Sequence, residues 1–171
     1  MLLDLLGAET RRWPRTRFGP TALRESQRVQ LEDIVMALGE LVNEERGQIS
    51  GVRIISADAT GTTSEVSLRA EGTIRGTRQV TNWTYKQIQR PDGSLYGYGR
   101  GVMTTENGDV VNLTGSGSAK VPTGGNPTLY RVVNHYHTAS EKLQDLNYIA
   151  VVGEYEISAD GSTAGRFWEW K

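Results

Sequence analysis

The sequence predicts an all-β fold, a single antiparallel β-barrel of seven or eight strands with one short helix. From residue 77 to residue 171, segments in which apolar and polar residues alternate are separated by tight-turn sequences at near-regular intervals. These turns lie at 91–94, 106–109, 122–127 and 160–162, and they contain Asp-Gly, Asn-Gly or Gly-Gly pairs. Such pairs supply the positive φ angles that short hairpins require. Hairpin-connected strands in this number favour a barrel over a sandwich.

The composition excludes several functional classes. The chain has 171 residues, a formal net charge of −1 and no cysteine. A chain without excess positive charge is not suited to general nucleic-acid binding. The absence of cysteine excludes disulfides, cysteine nucleophiles and thiolate metal sites. No apolar run approaches the roughly 20 residues that a membrane helix needs. We therefore expect a cytoplasmic protein without a nucleic-acid or membrane partner.

Residues 1–37 differ from the rest and are predicted to be an N-terminal extension to a barrel domain of residues 38–171. The extension is rich in arginine, and its apolar spacing predicts a helix at about 21–37. Three interpretations stay open. The segment is a helix docked loosely outside the barrel, a basic arm that contacts nucleic acid, or translated upstream sequence before a true start at Met36.

Alternation of apolar and polar residues predicts the first three strands. Residues 40–56 are expected to form one long bent strand or two short ones, with the bend at Gly47 or Gly51. Residues 63–76 alternate clearly between an apolar face and a charged face, which is typical of a half-buried strand. Residues 78–90 also alternate, although neither of their faces is purely apolar.

Glycine is concentrated on one face of each of the next two strands, 95–105 and 110–120. The glycines at these alternate positions are Gly97, Gly99, Gly101, Gly115 and Gly117. One interpretation is that they allow the sharp coiling that closes a barrel. The other is that they form the floor of a ligand cavity, because a glycine face lets another group approach the backbone closely.

The last part of the chain completes the sheet. Residues 128–138 are predicted to be a strand, and about 139–147 a short helix. Residues 148–157 and 163–170 then form a hairpin across the Asp-Gly turn, and the final strand closes the barrel.

The two histidines, His135 and His137, lie two residues apart on one strand and therefore point to the same face. Together with Glu141 they form a His-x-His-x-x-x-Glu pattern similar to the first metal motif of the cupins, with donors suited to a first-row divalent metal. The glycines that flank that motif in cupins are absent here. We therefore expect no metal or other cofactor, and a cupin-like metal-dependent enzyme stays as a second alternative.

Polar aromatic and basic side chains of the central strands are the candidate ligand-binding residues. They are Tyr85, Tyr96, Tyr98, Arg100, Arg131, His135 and His137. A metal-free acid–base site is a further possibility, with Glu65 or Glu71 as its carboxylate. Its other candidates are Arg100, Arg131, His135, Tyr85, Tyr96, Tyr98 and Tyr130. No catalytic residue is assigned from the sequence.

Three stretches, 93–102, 138–143 and 167–171, resemble a family of small uncharacterised prokaryotic proteins. That family is similar to the allene oxide cyclase and dirigent-like barrels of the calycin type, and the resemblance covers roughly residues 38–171. It implies a calycin-like barrel that holds hydrophobic small molecules, sometimes steering their cyclisation or coupling.

The expected function is therefore binding of a small apolar or amphipathic molecule inside the barrel. The alternative is a cofactor-free cyclase or isomerase of the allene oxide cyclase-like type, which would need a buried ionisable group beside the cavity. The incomplete charge alternation on several strands also makes a homo-oligomer plausible.

Overall fold

The computed structural model describes residues 38–171 and forms a closed antiparallel barrel of eight strands. This confirms the predicted barrel. The predicted helix at about 21–37 and the alternative start at Met36 lie outside the described residues. The strands are β1 (Leu38–Asp58), β2 (Gly61–Ile74), β3 (Thr77–Gln89), β4 (Ser94–Thr105), β5 (Val110–Lys120), β6 (Thr128–Thr138), β7 (Val151–Ile157) and β8 (Ser162–Trp170).

Each strand pairs with its neighbour in sequence, and β1 also pairs with β8 to close the barrel. β1 is one long strand whose pairing with β2 is irregular between Ile49 and Gly51, next to one of the two predicted bends. Its pairing with β8 is irregular on either side of Leu41. As a result Val42 and Asn43, which are adjacent in sequence, are both buried. Which residues of β1 face the barrel interior is therefore determined by this irregularity and not by simple alternation.

One end of the barrel is filled by a tightly packed apolar core. Its buried residues are Val42, Ile74, Met103, Val111, Leu113, Tyr136, Leu143, Leu146, Val151 and Phe167. Leu143 and Leu146 come from a 3-10 helix over Glu141–Tyr148, so the short helix predicted at about 139–147 is present and plugs this end. Within residues 38–171, no helix has the length and apolar character needed to cross a bilayer.

The 3-10 helix is tied to the end of β6 by the side chain of Asn147. The backbone N–H of Thr138 donates to Oδ1 of Asn147 at 2.8 Å, and Nδ2 of Asn147 donates to the carbonyl oxygen of Thr138 at 3.0 Å. These two bonds satisfy both backbone groups of the residue where the strand ends. The plug is thus held by polar pairing on one side and by buried leucines on the other.

Candidate functional site

The barrel interior is open beyond the apolar plug, where it encloses a cavity of about 90 Å³. One water molecule needs about 10–15 Å³ on this scale, so the cavity has room for several waters or for part of an organic molecule. Apolar and aromatic side chains dominate its lining: Leu68, Trp83, Tyr85, Tyr130, Val132, Tyr155, Ile157 and Phe167. A concave, mostly apolar interior with few polar groups is the usual form of a small-molecule site.

Aromatic rings that lie opposite glycines create this space. Trp83 of β3 pairs with Gly101 of β4, and Phe167 of β8 pairs with Gly153 of β7. A Cβ atom added at Gly101 would lie 2.7 Å from the Trp83 ring, and one added at Gly153 would lie 2.5 Å from the Phe167 ring. The rings therefore rest against the neighbouring backbone, and the centre of the barrel is left free.

Four glycines of β4 and β5 form part of the cavity wall directly. Gly97 pairs with Gly117, and Gly99 pairs with Gly115, so two glycine pairs lie side by side between the strands. All four residues line the cavity. Side chains of the paired strands nevertheless pack against Gly99, Gly115 and Gly117, so among the four glycines only Gly97 leaves room for a further atom.

Glu45 is the only carboxylate that lines this cavity in the described part of the chain. Its residue is 2% exposed, and it faces inward from β1. Its strand partners are Gly72 on β2 and Gly165 on β8, so neither neighbouring strand presents a side chain beside it. The two glycines leave room for a carboxyl group inside an otherwise crowded barrel.

Amide side chains hold one oxygen of Glu45 in place. Oε2 accepts hydrogen bonds from Nδ2 of Asn43 at 3.2 Å and from Nε2 of Gln79 at 3.1 Å. The hydroxyl of Thr81 donates to Oε1 of Gln79 at 2.7 Å and so fixes the amide orientation that directs Nε2 toward Glu45. The other carboxyl oxygen, Oε1, is buried, and none of residues 38–171 hydrogen-bonds to it.

Burial raises the pKa of Glu45, and the hydrogen bonds from Asn43 and Gln79 oppose this rise only in part. None of the ion pairs formed among residues 38–171 includes Glu45. A buried carboxyl group without a counter-ion keeps its proton at pH values where an exposed glutamate is ionised.

Tyr85, another residue of the cavity lining, holds a second buried polar atom without a partner. Its hydroxyl is buried without a partner among the described residues, and burial raises its pKa to about 12. The hydroxyls of Tyr130 and Tyr155 are engaged, since they donate to Gln87 at 2.9 Å and to Thr163 at 2.8 Å. The hydroxyl of Tyr85 is thus neutral at physiological pH and has no hydrogen-bond partner among residues 38–171.

Of the seven candidate ligand-binding residues, Tyr85 is the one whose side chain faces the interior. The other six occupy the outward positions of β4 and β6: Tyr96, Tyr98, Arg100, Arg131, His135 and His137. Tyr98 borders the cavity wall between two glycines, but it is 43% exposed. Its ring stacks on that of Tyr96 with 5.8 Å between centroids, on the outside of the barrel. A role of these six residues in binding stays a prediction.

The other carboxylate and metal candidates also lie on the outside. Glu65 pairs with Arg53 at 2.9 Å, and Glu71 is exposed. His135 and His137 are exposed on β6, and no group of three or more potential ligands able to hold a metal occurs within residues 38–171. Glu141 is thus not grouped with the two histidines among the described residues, and the metal alternative stays a prediction.

Sequence reasoning missed Glu45. Two signals were present: Asn43 and Glu45 alternate on β1, and Gln79 and Thr81 alternate on β3. Polar residues that repeat every second position on two strands form a network when both sets face inward.

No protein-family model matches this chain, and no functionally curated protein matches it significantly. Solved structures are similar to it in fold. A conserved protein of unknown function from Rhodopseudomonas palustris is 19% identical with a TM-score of 0.66, and the match covers 76% of this chain and 95% of that one. A protein of unknown function from Clostridium acetobutylicum is 16% identical with a TM-score of 0.70, covering 77% and 97%.

An enzyme from Penicillium herquei is also similar, at 15% identity and a TM-score of 0.60, with 77% of this chain and 92% of that one covered. At these identities the likeness shows the fold alone. None of these three proteins is identified as an allene oxide cyclase or a dirigent protein, so that resemblance stays a prediction.

Proposed function

We propose that the barrel binds a small, largely apolar organic molecule that carries a carbonyl or hydroxyl group, in the cavity beside Glu45 and Tyr85. The observation that carries the proposal is an aromatic-walled cavity with two residues in its lining, Glu45 and Tyr85, that each hold a buried polar atom without a hydrogen-bond partner among residues 38–171. A buried polar atom without a partner costs about 1–3 kcal/mol. A ligand that hydrogen-bonds to Glu45 Oε1 or to the Tyr85 hydroxyl removes that cost.

The cavity also limits the size of the ligand. An apolar cavity of about 150 Å³ holds benzene, whereas the cavity of this barrel measures about 90 Å³. A short acyclic chain fits without rearrangement, and a larger molecule would need the aromatic wall to move. The hydroxyl of Tyr85 can donate to a carbonyl oxygen, and the carboxyl group of Glu45 can accept a hydrogen bond and, when protonated, can also donate one. The site is therefore suited to short ketones, aldehydes and alcohols.

A cofactor-free isomerase or cyclase is the second candidate function. It is favoured by Glu45, which is a buried ionisable group beside an apolar cavity and has a raised pKa. Perturbed carboxylates of this kind are concentrated at catalytic sites. The fold likeness to a fungal enzyme is compatible with catalysis but does not assign it.

Binding is tested by saturation-transfer NMR with a series of short-chain ketones and alcohols, combined with native mass spectrometry of the protein purified from its own cells. We expect ketone signals with the wild type and weaker signals with Tyr85→Phe, which removes the cavity hydroxyl. Tyr96→Phe is the matched control, because it makes the same change on the outer face. A protein that carries no organic mass and binds none of the series would contradict the proposal.

A further inference from the structure

We propose that the outer face of β3–β6 binds single-stranded nucleic acid, which lies over β5 between the Tyr98 side chain of β4 and the basic side chain of Arg131 on β6. This inference goes beyond the proposed cavity ligand, because it concerns the outside of the barrel and does not depend on what the cavity holds. It also gives a role to the outward candidate residues of β4 and β6.

The charge of this face differs from that of the rest of the chain. No residue of β3, β4, β5 or β6 is an aspartate or a glutamate, although the chain has 20 acidic residues. The exposed cations of these four strands are Arg78, Lys86, Arg100, Lys120 and Arg131. A net charge of −1 is a sum over the whole chain, whereas a bound polyanion meets the local field of one face. The sum therefore does not describe what a ligand meets here.

Most of these cations lack a carboxylate partner. Those without an ion pair among residues 38–171 are Arg78, Lys86, Arg100 and Lys120. Arg131 pairs with Glu154 at 3.3 Å, but the two side chains are 65% and 61% exposed, so this pair contributes little. By contrast, Arg69 on the outer face of β2 has an acidic neighbour on its own strand, Glu71. Exposed cations without acidic neighbours are suited to contacts with phosphate groups.

The strand registers place small polar residues of β5 between the tyrosines of β4 and the side chains of β6. Neighbouring strands are about 4.8 Å apart, so about 10 Å separates β4 from β6 across this shallow trough. Two outward rows define it: Tyr96–Ser118–Arg131 and Tyr98–Ser116–Val133. Because a serine side chain is much shorter than a tyrosine, a planar base has room over β5 beside the Tyr98 ring.

Tyr98 supplies the aromatic surface on which a base can stack. It is 43% exposed, and its ring stacks on that of Tyr96 with 5.8 Å between centroids. The guanidinium of Arg90 lies 6.0 Å from the centroid of the Tyr96 ring and extends this stack. Lys86 is the direct strand partner of Tyr98, and Arg100 lies two positions further along β4. A base on Tyr98 would therefore have cations near both of its flanking phosphates, which is the usual arrangement in single-strand binding sites.

The test is fluorescence anisotropy of a labelled oligo(dT) of about 12 nucleotides with the full chain, between about 50 and 200 mM salt. We expect the wild type to bind, with an affinity that falls as salt rises. Arg100→Gln removes one phosphate contact, so the slope of log affinity against log salt should become shallower by about 0.7. Tyr98→Leu removes a stacking surface and should weaken binding at least about fivefold.

Two matched controls make the same changes elsewhere on the surface. They are Arg69→Gln on β2 and Tyr148→Leu at the end of the 3-10 helix, where Tyr148 is 84% exposed. Both should retain the wild-type affinity and salt slope. Because residues 1–37 also contain arginines, the comparison of variants locates the site.

Three results would overturn the inference. The first is a wild type that does not bind oligo(dT) at the lower salt concentration, and the second is an equal effect of the test and control substitutions. The third is a probe preference that differs from the one expected: a DNA duplex of the same length that binds as tightly, or polyglutamate that displaces the labelled strand as well as unlabelled oligo(dT) does. Duplex binding would exclude base stacking, and displacement by polyglutamate would indicate an acidic protein as the partner.

Discussion

Gly97 and Gly99 lie two positions apart on the inward face of β4, and their replacement by alanine is expected to change stability in opposite directions. At Gly97 an added Cβ would lie 3.6 Å from the nearest atoms, which is ordinary van der Waals contact. At Gly99 it would lie 2.5 Å from the carbonyl oxygen of Thr84 and 2.6 Å from the Cα of Tyr85. These are backbone atoms of the paired strand, and they cannot move away without disturbing the strand pairing.

The expected magnitudes follow from these distances. Neither glycine has a positive φ, so the backbone conformation itself accepts alanine. Gly97→Ala buries one methyl group, worth about 0.8 kcal/mol, and lowers the entropy of the unfolded chain, worth about 0.4–1 kcal/mol. We expect a gain of about 1–2 kcal/mol. Gly99→Ala has the same entropic gain but suffers overpacking of about 1–3 kcal/mol, so we expect a net loss.

Urea unfolding of the wild type and both variants at one pH measures the two effects. The slope of the free energy of unfolding against urea should be the same for all three proteins, so that the midpoints report stability. Equal destabilisation by both substitutions would mean that the space at Gly97 is filled, and the cavity account would be refuted. Gly97→Ala should also weaken ketone binding, because its methyl group enters the cavity.

Three other substitutions test separate parts of the structure. The folded-state pKa of Glu45 is raised, so its stabilising contribution is complete below the unfolded-state pKa and is lost as pH rises through the folded-state pKa. Glutamine does not titrate, so Glu45→Gln should gain stability relative to the wild type as pH rises above about 4, the pKa of an unfolded glutamate; a pH-independent difference in urea unfolding would contradict this. Asn147→Ala removes both bonds to the Thr138 backbone and should cost about 1–3 kcal/mol, with faster amide hydrogen exchange in the 3-10 helix; unchanged exchange there would count against its anchoring role. Arg75 has a φ of 47° and forms ion pairs with Glu40 at 2.7 Å and Asp145 at 2.6 Å. Arg75→Ala removes the ion pairs and should lower the free energy of unfolding by about 1 kcal/mol, whereas Arg75→Gly should lower it less, because glycine adopts the left-handed backbone without strain. Thermal unfolding measures both, and the reverse order would show that the strain is negligible.

The barrel could be predicted from the sequence because the residue patterns that specify its strands and turns are local. Turn pairs such as Asn107-Gly108 set the hairpins, and β2 has a clear apolar face on which Val66, Leu68, Ala70 and Ile74 are buried. Each signal lies within a few residues of sequence, and each connection joins neighbouring strands. Pairing each strand with the next gives an antiparallel meander, and the pairing of β8 with β1 closes it into a barrel.

The site could not be predicted in the same way, because alternation separates two faces without telling which one is inside. On β4 the glycines Gly97 and Gly99 alternate with Tyr96 and Tyr98, so a glycine floor and an interior role for these tyrosines exclude each other. The structure places the glycines inside. Large aromatics are usually buried, but here the space over the glycines is taken by aromatics of the neighbouring strand, Trp83 and Tyr85.

Glu45 could not be identified as a site residue from the sequence for a different reason. It follows a pairing irregularity on β1 that buries both Val42 and Asn43. The irregularity changes which alternate residues of the strand face the barrel interior. In the sequence, Glu45 follows directly after Glu44, and the alternation of Asn43 with Glu45 does not by itself tell which of the two carboxylates faces inward. The difference arises only when β1 pairs with the glycines of β2 and β8.

The most direct test of the central claim is an amide NMR titration of the isotopically labelled protein with short-chain ketones. Binding inside the barrel predicts shifts that saturate and that are concentrated at the cavity glycines Gly97, Gly99, Gly115 and Gly117 and at Tyr85. The outward residues His135 and Tyr96 should remain unshifted. Saturating shifts confined to the outer face, or no saturating shift with any ketone of the series, would contradict the account.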